Sequence, residues 1–244
     1  TVRTARPEED YRARALFCGA LMRRIERINE DERWQDGNYS DLEAEVESEA
    51  STGRVRSTLR LLFLDDFRRR ERSLSRAILE SQDAMVFLRG DPGSGKSVAL
   101  RHAASILAKR ACGRRSKSPI PVYVTLRELQ REHICSHESF KKFLVDSMQS
   151  LVDIRQLDFF ATHYDDLVRR GRLVFLLDGF DEIVEILSAT EAGPLVRRYQ
   201  DFLEGYVSSV APCRAIIASR DYRGPLRKEL PQFTIVPLDA KHRS

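Results

Sequence analysis

From residue 84 onward, short apolar runs recur along the chain: AMVFL (84–88), PVYVTL (121–126), LVFLL (173–177), AIIAS (215–219) and FTIVPL (233–238). None alternates strictly between apolar and polar positions, which is the pattern of strands buried on both faces. Between the runs lie stretches of helical periodicity near 96–112, 137–150, 155–170 and 191–209. Strands that alternate with helices predict a parallel sheet covered on both sides. The expected fold is therefore α/β, a three-layer αβα core on a mostly parallel five-stranded sheet.

The chain reads differently before that. Residues 8–30 repeat Tyr11, Ala15, Leu16, Leu21, Ile25 and Ile28 at helical spacing, and a turn follows at Asp36-Gly37-Asn38. Residues 41–58 are acidic and then small and polar, with no clear period, whereas Leu59 to Phe67 is apolar enough to be buried. Ser73 suits the N-cap of a short helix carrying Leu74, Ile78 and Leu79. The expected division is a helical N-terminal segment and linker over 1–72 and a core over 73–244.

Charge narrows the function classes. Against 41 Lys and Arg stand 37 Asp and Glu, a net of +4, so no general field attracts polyanions and nucleic acid is not an expected partner. The densest basic run, RRRER at 68–72, reads as a solvated helix face, and GRRSKSP at 113–119 as a basic surface loop. No apolar run reaches the ~18 residues of a membrane span, and no signal peptide is visible. Four scattered cysteines (Cys18, Cys112, Cys135, Cys213) without a C-x-x-C pair fit reduced thiols in a cytoplasmic protein. His133, Cys135 and His137 lie close together, with His163 elsewhere, but their spacing is not that of a four-ligand zinc site. Trp34 reads as packing on the first helix rather than as a platform for a base.

The chemistry is concentrated after the first apolar run. RGDPGSGKS places Gly90, Gly95, Lys96 and Ser97 in the pattern G-x-x-x-x-G-K-[ST]. Backbone N–H groups wrap phosphate oxygens only where side chains leave room, hence Gly90, Gly93 and Gly95. The helix that starts there turns its positive end to the anion. Lys96 is the candidate for the β- and γ-phosphates, and the Ser97 hydroxyl for magnesium. Gly90, Asp91, Pro92, Gly93, Ser94, Gly95, Lys96, Ser97 and Val98 are the candidate nucleotide-binding residues. A buried strand before the loop and SVALRHAASILAKR after it make this a P-loop NTPase.

RLVFLLDGFDEI (172–183) then delivers three acids where a buried strand ends. A P-loop needs a second carboxylate for the magnesium shell, and Asp178 is placed for it. Hydrolysis needs a group beside the γ-phosphate to orient or deprotonate water, for which Glu182, then Asp181, are the candidates. Asp181 as a helix N-cap, with Glu182 favouring the helix dipole, is the structural alternative.

LLDGFDE resembles the extended Walker B motif of NACHT-domain proteins, signal-transducing ATPases of the STAND class, in which a small and a hydrophobic residue separate the metal aspartate from an acidic pair. AIIASR is similar to that family's next strand, and the resemblance makes Arg220 the sensor arginine near the γ-phosphate. A plain surface arginine is the other reading. NYSDLEAE (38–45) resembles the tyrosine–leucine segment that precedes the P-loop. The resemblance spans about 39–238 and implies ATP or ADP with Mg2+ as ligands. It also implies slow hydrolysis serving a switch, with self-association in a longer parent protein and a role in innate or antiviral defence. STAND proteins continue into a small helical domain and a winged helix whose histidine touches the ADP β-phosphate. The expectation is thus the core of a switch, cut from something longer, with trigger and effector elsewhere. Three alternatives stay open. An AAA+-like motor or loader shares the acid pair but needs basic and aromatic groove residues. A P-loop kinase needs an arginine-rich lid, and a scaffold binds nucleotide without turnover.

Overall fold

The computed structural model describes residues 7–32, 42–47, 69–113, 117–149, 154–220 and 231–236. Asp36–Asn38, Trp34, the apolar stretch 59–67 and the tyrosine of the 38–45 segment fall outside these residues. The long helix α1 spans Pro7–Asp31. Two short strands follow, β1 (Ala44–Glu47) and β2 (Arg69–Glu71), and then helix α2 (Leu74–Glu80). Ser73 caps α2 as its sequence predicts, its Oγ accepting the Arg76 N–H at 3.1 Å.

Thereafter strand and helix alternate. The strands are β3 (Met85–Arg89), β4 (Ile120–Thr125), β5 (Leu173–Asp178), β6 (Arg214–Ser219) and β7 (Gln232–Ile235). Helix α3 (Lys96–Ala111) joins β3 to β4, and α4 (His137–Gln149) and α5 (Ile154–Arg169) join β4 to β5. A short α6 (Val184–Ser188) and a long α7 (Gly193–Ser209) lead to β6. The five apolar runs thus become five parallel neighbours in the order β7-β3-β6-β5-β4.

The sheet has seven strands rather than the expected five. β1 pairs antiparallel with β7, Ala44 opposite Ile235, and β2 pairs antiparallel with β1. Of the first 72 residues, α1 is helical as expected, but 44–47 and 69–71 belong to the sheet. The RRRER run is accordingly not a helix face. Arg69–Glu71 is an edge strand, and Arg70 ion-pairs with Glu43 beside β1. Neither strand was legible because four and three residues are too few for a period, and β2 lies at the edge of the sheet, where charged side chains are tolerated.

Register fixes what faces what. Tyr123 lies opposite Leu176 and Thr125 opposite Asp178, so these four share one face of the sheet. Helix α3 covers that face and α1 packs outside it. Phe175 points the other way, to Tyr206 of α7, whose ring also meets Phe140 of α4. α5 reaches both sides: Phe160 stacks on Phe17 of α1 at 5.3 Å, and the Tyr164 hydroxyl bonds that of Tyr206. The buried stripe of α1 is Phe17, Cys18, Leu21 and Ile25; Leu21 and Ile25 are buried as the periodicity predicts, but Leu16 is 58% exposed and its place is taken by Phe17. Phe17→Ala is expected to cost about 3–5 kcal/mol, the usual loss for a buried aromatic. Urea unfolding followed by circular dichroism checks this.

Candidate functional site

The loop between β3 and α3 is shaped by its glycines. Gly95, the residue before α3, has φ +93°, and a Cβ there would come within 2.9 Å of Leu42 Cδ1. Only glycine takes that backbone without strain. The first N–H groups of α3 are therefore left at the loop with no side chain to cap them. Lys96 folds back over the loop, its Nζ donating to Gly90 O at 2.7 Å, Asp91 O at 2.9 Å and Ser94 Oγ at 3.4 Å. The ammonium is so held beneath the turn.

Asp178 ends β5 and is buried. Tyr123 Oη donates to its Oδ2 at 2.9 Å, and Ser97 lines the same cleft beside the carboxylate. Burial raises the Asp178 pKa above the ordinary carboxylate value. The nearby hydroxyls of Ser97 and Tyr123 and the charge of Arg101 oppose that rise, and Glu182 adds to it. Burial also pushes the Tyr123 phenol well up, helped by the Asp178 charge, so it stays a donor. Behind Tyr123, Arg101 is 2% exposed, with Nε on Asn29 Oδ1 at 2.8 Å and Nη1 on Glu32 Oε1 at 3.2 Å, both acceptors from the end of α1.

The two acids after Asp178 part company. Gly179, at φ +74°, turns the chain into a 3-10 helix over Phe180–Glu182. Asp181 is 3% exposed and points at the end of β6: Oδ1 accepts the Arg220 N–H at 2.9 Å, and Oδ2 lies 3.3 Å from Arg220 Nε. Glu182 is 46% exposed, with Oε1 3.2 Å from Arg220 Nη2. Asp181 is not a helix N-cap, because Gly179 precedes the 3-10 turn and Ile183 precedes α6. Arg220 lies across both acids, 33% exposed.

One cleft is lined by Pro92, Gly93, Gly95, Lys96, Ser97 and Val98 on the loop side, and by Asp178, Asp181, Glu182 and Arg220 opposite. Gly90, Asp91 and Ser94 do not line it; they form the base against which Lys96 rests. Every other candidate is brought together. The donor set suits a hard cation: a serine hydroxyl and a buried carboxylate on one cleft offer two oxygens and leave the remaining positions to phosphate and water, the usual mode for magnesium.

The NACHT domain family model matches residues 84–243, well over half of the chain. The chain belongs to the NACHT-domain family. It is thus a nucleotide-binding P-loop NTPase of the STAND type. No curated protein matches the chain. The matched NACHT segment begins just before β3 and takes in the whole cleft. Among the described residues no helix is long and apolar enough to cross a membrane.

Two residues escaped the sequence reading of this NACHT chain, Tyr123 and Arg101. Tyr123 sits in PVYVTL as one more apolar-run residue. Arg101 carried a signal that went unread: it lies among Ala99, Leu100, Ala103 and Ala104, all fully buried on the inner side of α3. A lone arginine in such a stripe demands buried acceptors. The histidines near Cys135 turn to separate partners: His133 Nδ1 accepts the Gln130 N–H at 3.0 Å, and His137 meets the Tyr206 ring edge-on. Among the described residues no His, Cys, Asp or Glu cluster is arranged to hold a metal.

Proposed function

We propose that the cleft binds Mg·ATP and ADP and that the chain hydrolyses ATP slowly, as the core of a signalling switch whose nucleotide state governs self-association. The observation that carries this reading is the convergence of Lys96, Ser97, Asp178, Glu182 and Arg220 on one cleft at the end of α3. Loop N–H groups and Lys96 hold the phosphates. Ser97 and Asp178 hold magnesium, which when bound supplies neutralisation of the phosphate charge. Glu182, the exposed acid, orients and deprotonates the attacking water. Asp181 is kept for Arg220, whose main chain and side chain it anchors from below. The cytoplasmic setting rests on the four cysteines without a C-x-x-C pair, and a part in innate or antiviral defence on the family resemblance; both belong to this proposal.

Nucleotide identified in the purified protein after denaturation, ATP or ADP rather than a guanine nucleotide, is the direct test. Assembly is tested separately, by light scattering with ATP and with ADP. The chain is expected to remain largely monomeric at micromolar concentration with either, and a longer parent to assemble with ATP.

Arg220 is the proposed reader of the γ-phosphate. To reach one, its guanidinium exchanges Glu182 for phosphate oxygens while Asp181 keeps its backbone in place. Arg220→Ala is therefore expected to weaken ATP binding more than ADP binding in calorimetric titration. An equal loss for both would place Arg220 at the β-phosphate or in folding alone.

A further inference from the structure

A buried polar path leads from the nucleotide cleft to the N-terminal helix. It starts at Asp178, passes through Tyr123 on the neighbouring strand and Arg101 on α3, and ends on Asn29 and Glu32 at the end of α1. The direction of each bond follows from chemistry. A guanidinium only donates, and a phenol has one hydrogen to give. The Tyr123 hydrogen is committed to Asp178 Oδ2 at 2.9 Å, and the Arg101 guanidinium lies close enough to the phenol for the two groups to interact electrostatically. With Oδ2 held by that bond, rotation of the carboxylate about its Cβ–Cγ bond is restrained, and with it the carboxylate's presentation to the cleft. Arg101 in turn is oriented by acceptors that α1 provides, since Asn29 and Glu32 lie 72 and 69 residues before it in sequence.

We propose that Tyr123 is a positioning residue for Asp178, and that α1 sets the magnesium-binding geometry through Arg101. The inference rests on the reading of Asp178 as the magnesium carboxylate. Its consequence is a physical link between the nucleotide site and the segment before the NACHT match. A displacement of α1 withdraws the acceptors of a buried guanidinium, frees Tyr123 and loosens the carboxylate. Residues that orient a metal ligand through a hydrogen bond typically change metal affinity 10–100-fold when replaced.

The test is ADP binding by calorimetry across a series of Mg2+ concentrations and in EDTA, for the wild type and for Tyr123→Phe, Glu32→Gln and Asp178→Asn. Thermal denaturation establishes that each variant is folded. Tyr123→Phe removes only the hydroxyl, and is expected to raise the Mg2+ concentration giving half-maximal effect about tenfold or more, with ADP affinity in EDTA unchanged. Glu32→Gln, on a side chain half-exposed at the far end of the path, is expected to shift it the same way by less. Asp178→Asn should abolish the Mg2+ dependence. If it does while Tyr123→Phe titrates like the wild type, the positioning role is overturned and the magnesium reading stands. If Asp178→Asn keeps the wild-type Mg2+ dependence, the magnesium reading itself falls. An equal loss with and without Mg2+ in Tyr123→Phe would mean a purely structural role. A shift in Tyr123→Phe but none in Glu32→Gln would sever the link to α1.

Discussion

Glu182→Gln is expected to bind ATP as the wild type does and to hydrolyse it about 10²–10⁴-fold more slowly, the usual contribution of a positioned general base. Glutamine keeps the length of the side chain and an oxygen to accept from Arg220, so the contact between Nη2 and Oε1 at 3.2 Å need not be lost. Basicity is what disappears. Asp181→Asn should behave differently. Its carboxylate is buried and accepts the Arg220 N–H, so removing its charge disturbs the end of β6, lowering stability and ATP affinity together. Single-turnover hydrolysis beside calorimetric ATP binding separates the two variants. A Glu182→Gln protein that turns over normally, with Asp181→Asn dead but tightly bound to ATP, would exchange their roles.

Lys96→Ala is expected to weaken ATP and ADP binding by about 1.5–3 kcal/mol, the range for hydrogen bonds to charged groups, or roughly 10- to 150-fold in Kd. The structure adds a reason for the upper end. Lys96 Nζ also bonds three oxygens of the loop itself, so the substitution removes an internal brace as well as a charge. Thermal denaturation without nucleotide reads the brace alone: a Lys96→Ala protein as stable as the wild type but weakened in affinity leaves the phosphate contact as the cause. Equal nucleotide affinity in wild type and Lys96→Ala would remove Lys96 from the binding site.

The parallel core was legible because its strands are buried on both faces and read as plain apolar runs, bounded by glycine, proline or charge. The cleft was legible for a related reason: a loop that leaves room for phosphate and a strand that ends on acids each constrain residue type within a few positions. Less legible was anything that depends on pairing between distant segments. AEVE at 44–47 carries two acids in four residues and becomes a strand only because β7 offers it a partner. The same holds within the site. Nothing local separates Asp181 from its neighbour Glu182; the difference arises where the 3-10 turn buries one against β6 and leaves the other in the cleft. Tyr123 and Arg101 were hidden likewise, since their partners lie on β5 and at the end of α1.

The antiparallel pairing of β1 with β7 bears on where the NACHT core can be cut. A fragment trimmed to the matched residues 84–243 would discard β1 and leave the outer rim of β7 as an open row of backbone donors and acceptors. Such a rim is a template for pairing with another molecule. The same cut removes Leu42, whose carbonyl accepts the Leu74 N–H at 2.7 Å and whose methyl lies against the turn at Gly95. It also strips Asn29 and Glu32 from the Arg101 guanidinium and uncovers the apolar face of α3 on which α1 packs. The boundary drawn by family likeness therefore cuts through one continuous sheet, and expression fragments trimmed to it are expected to precipitate more readily than those retaining residues from 7 onward.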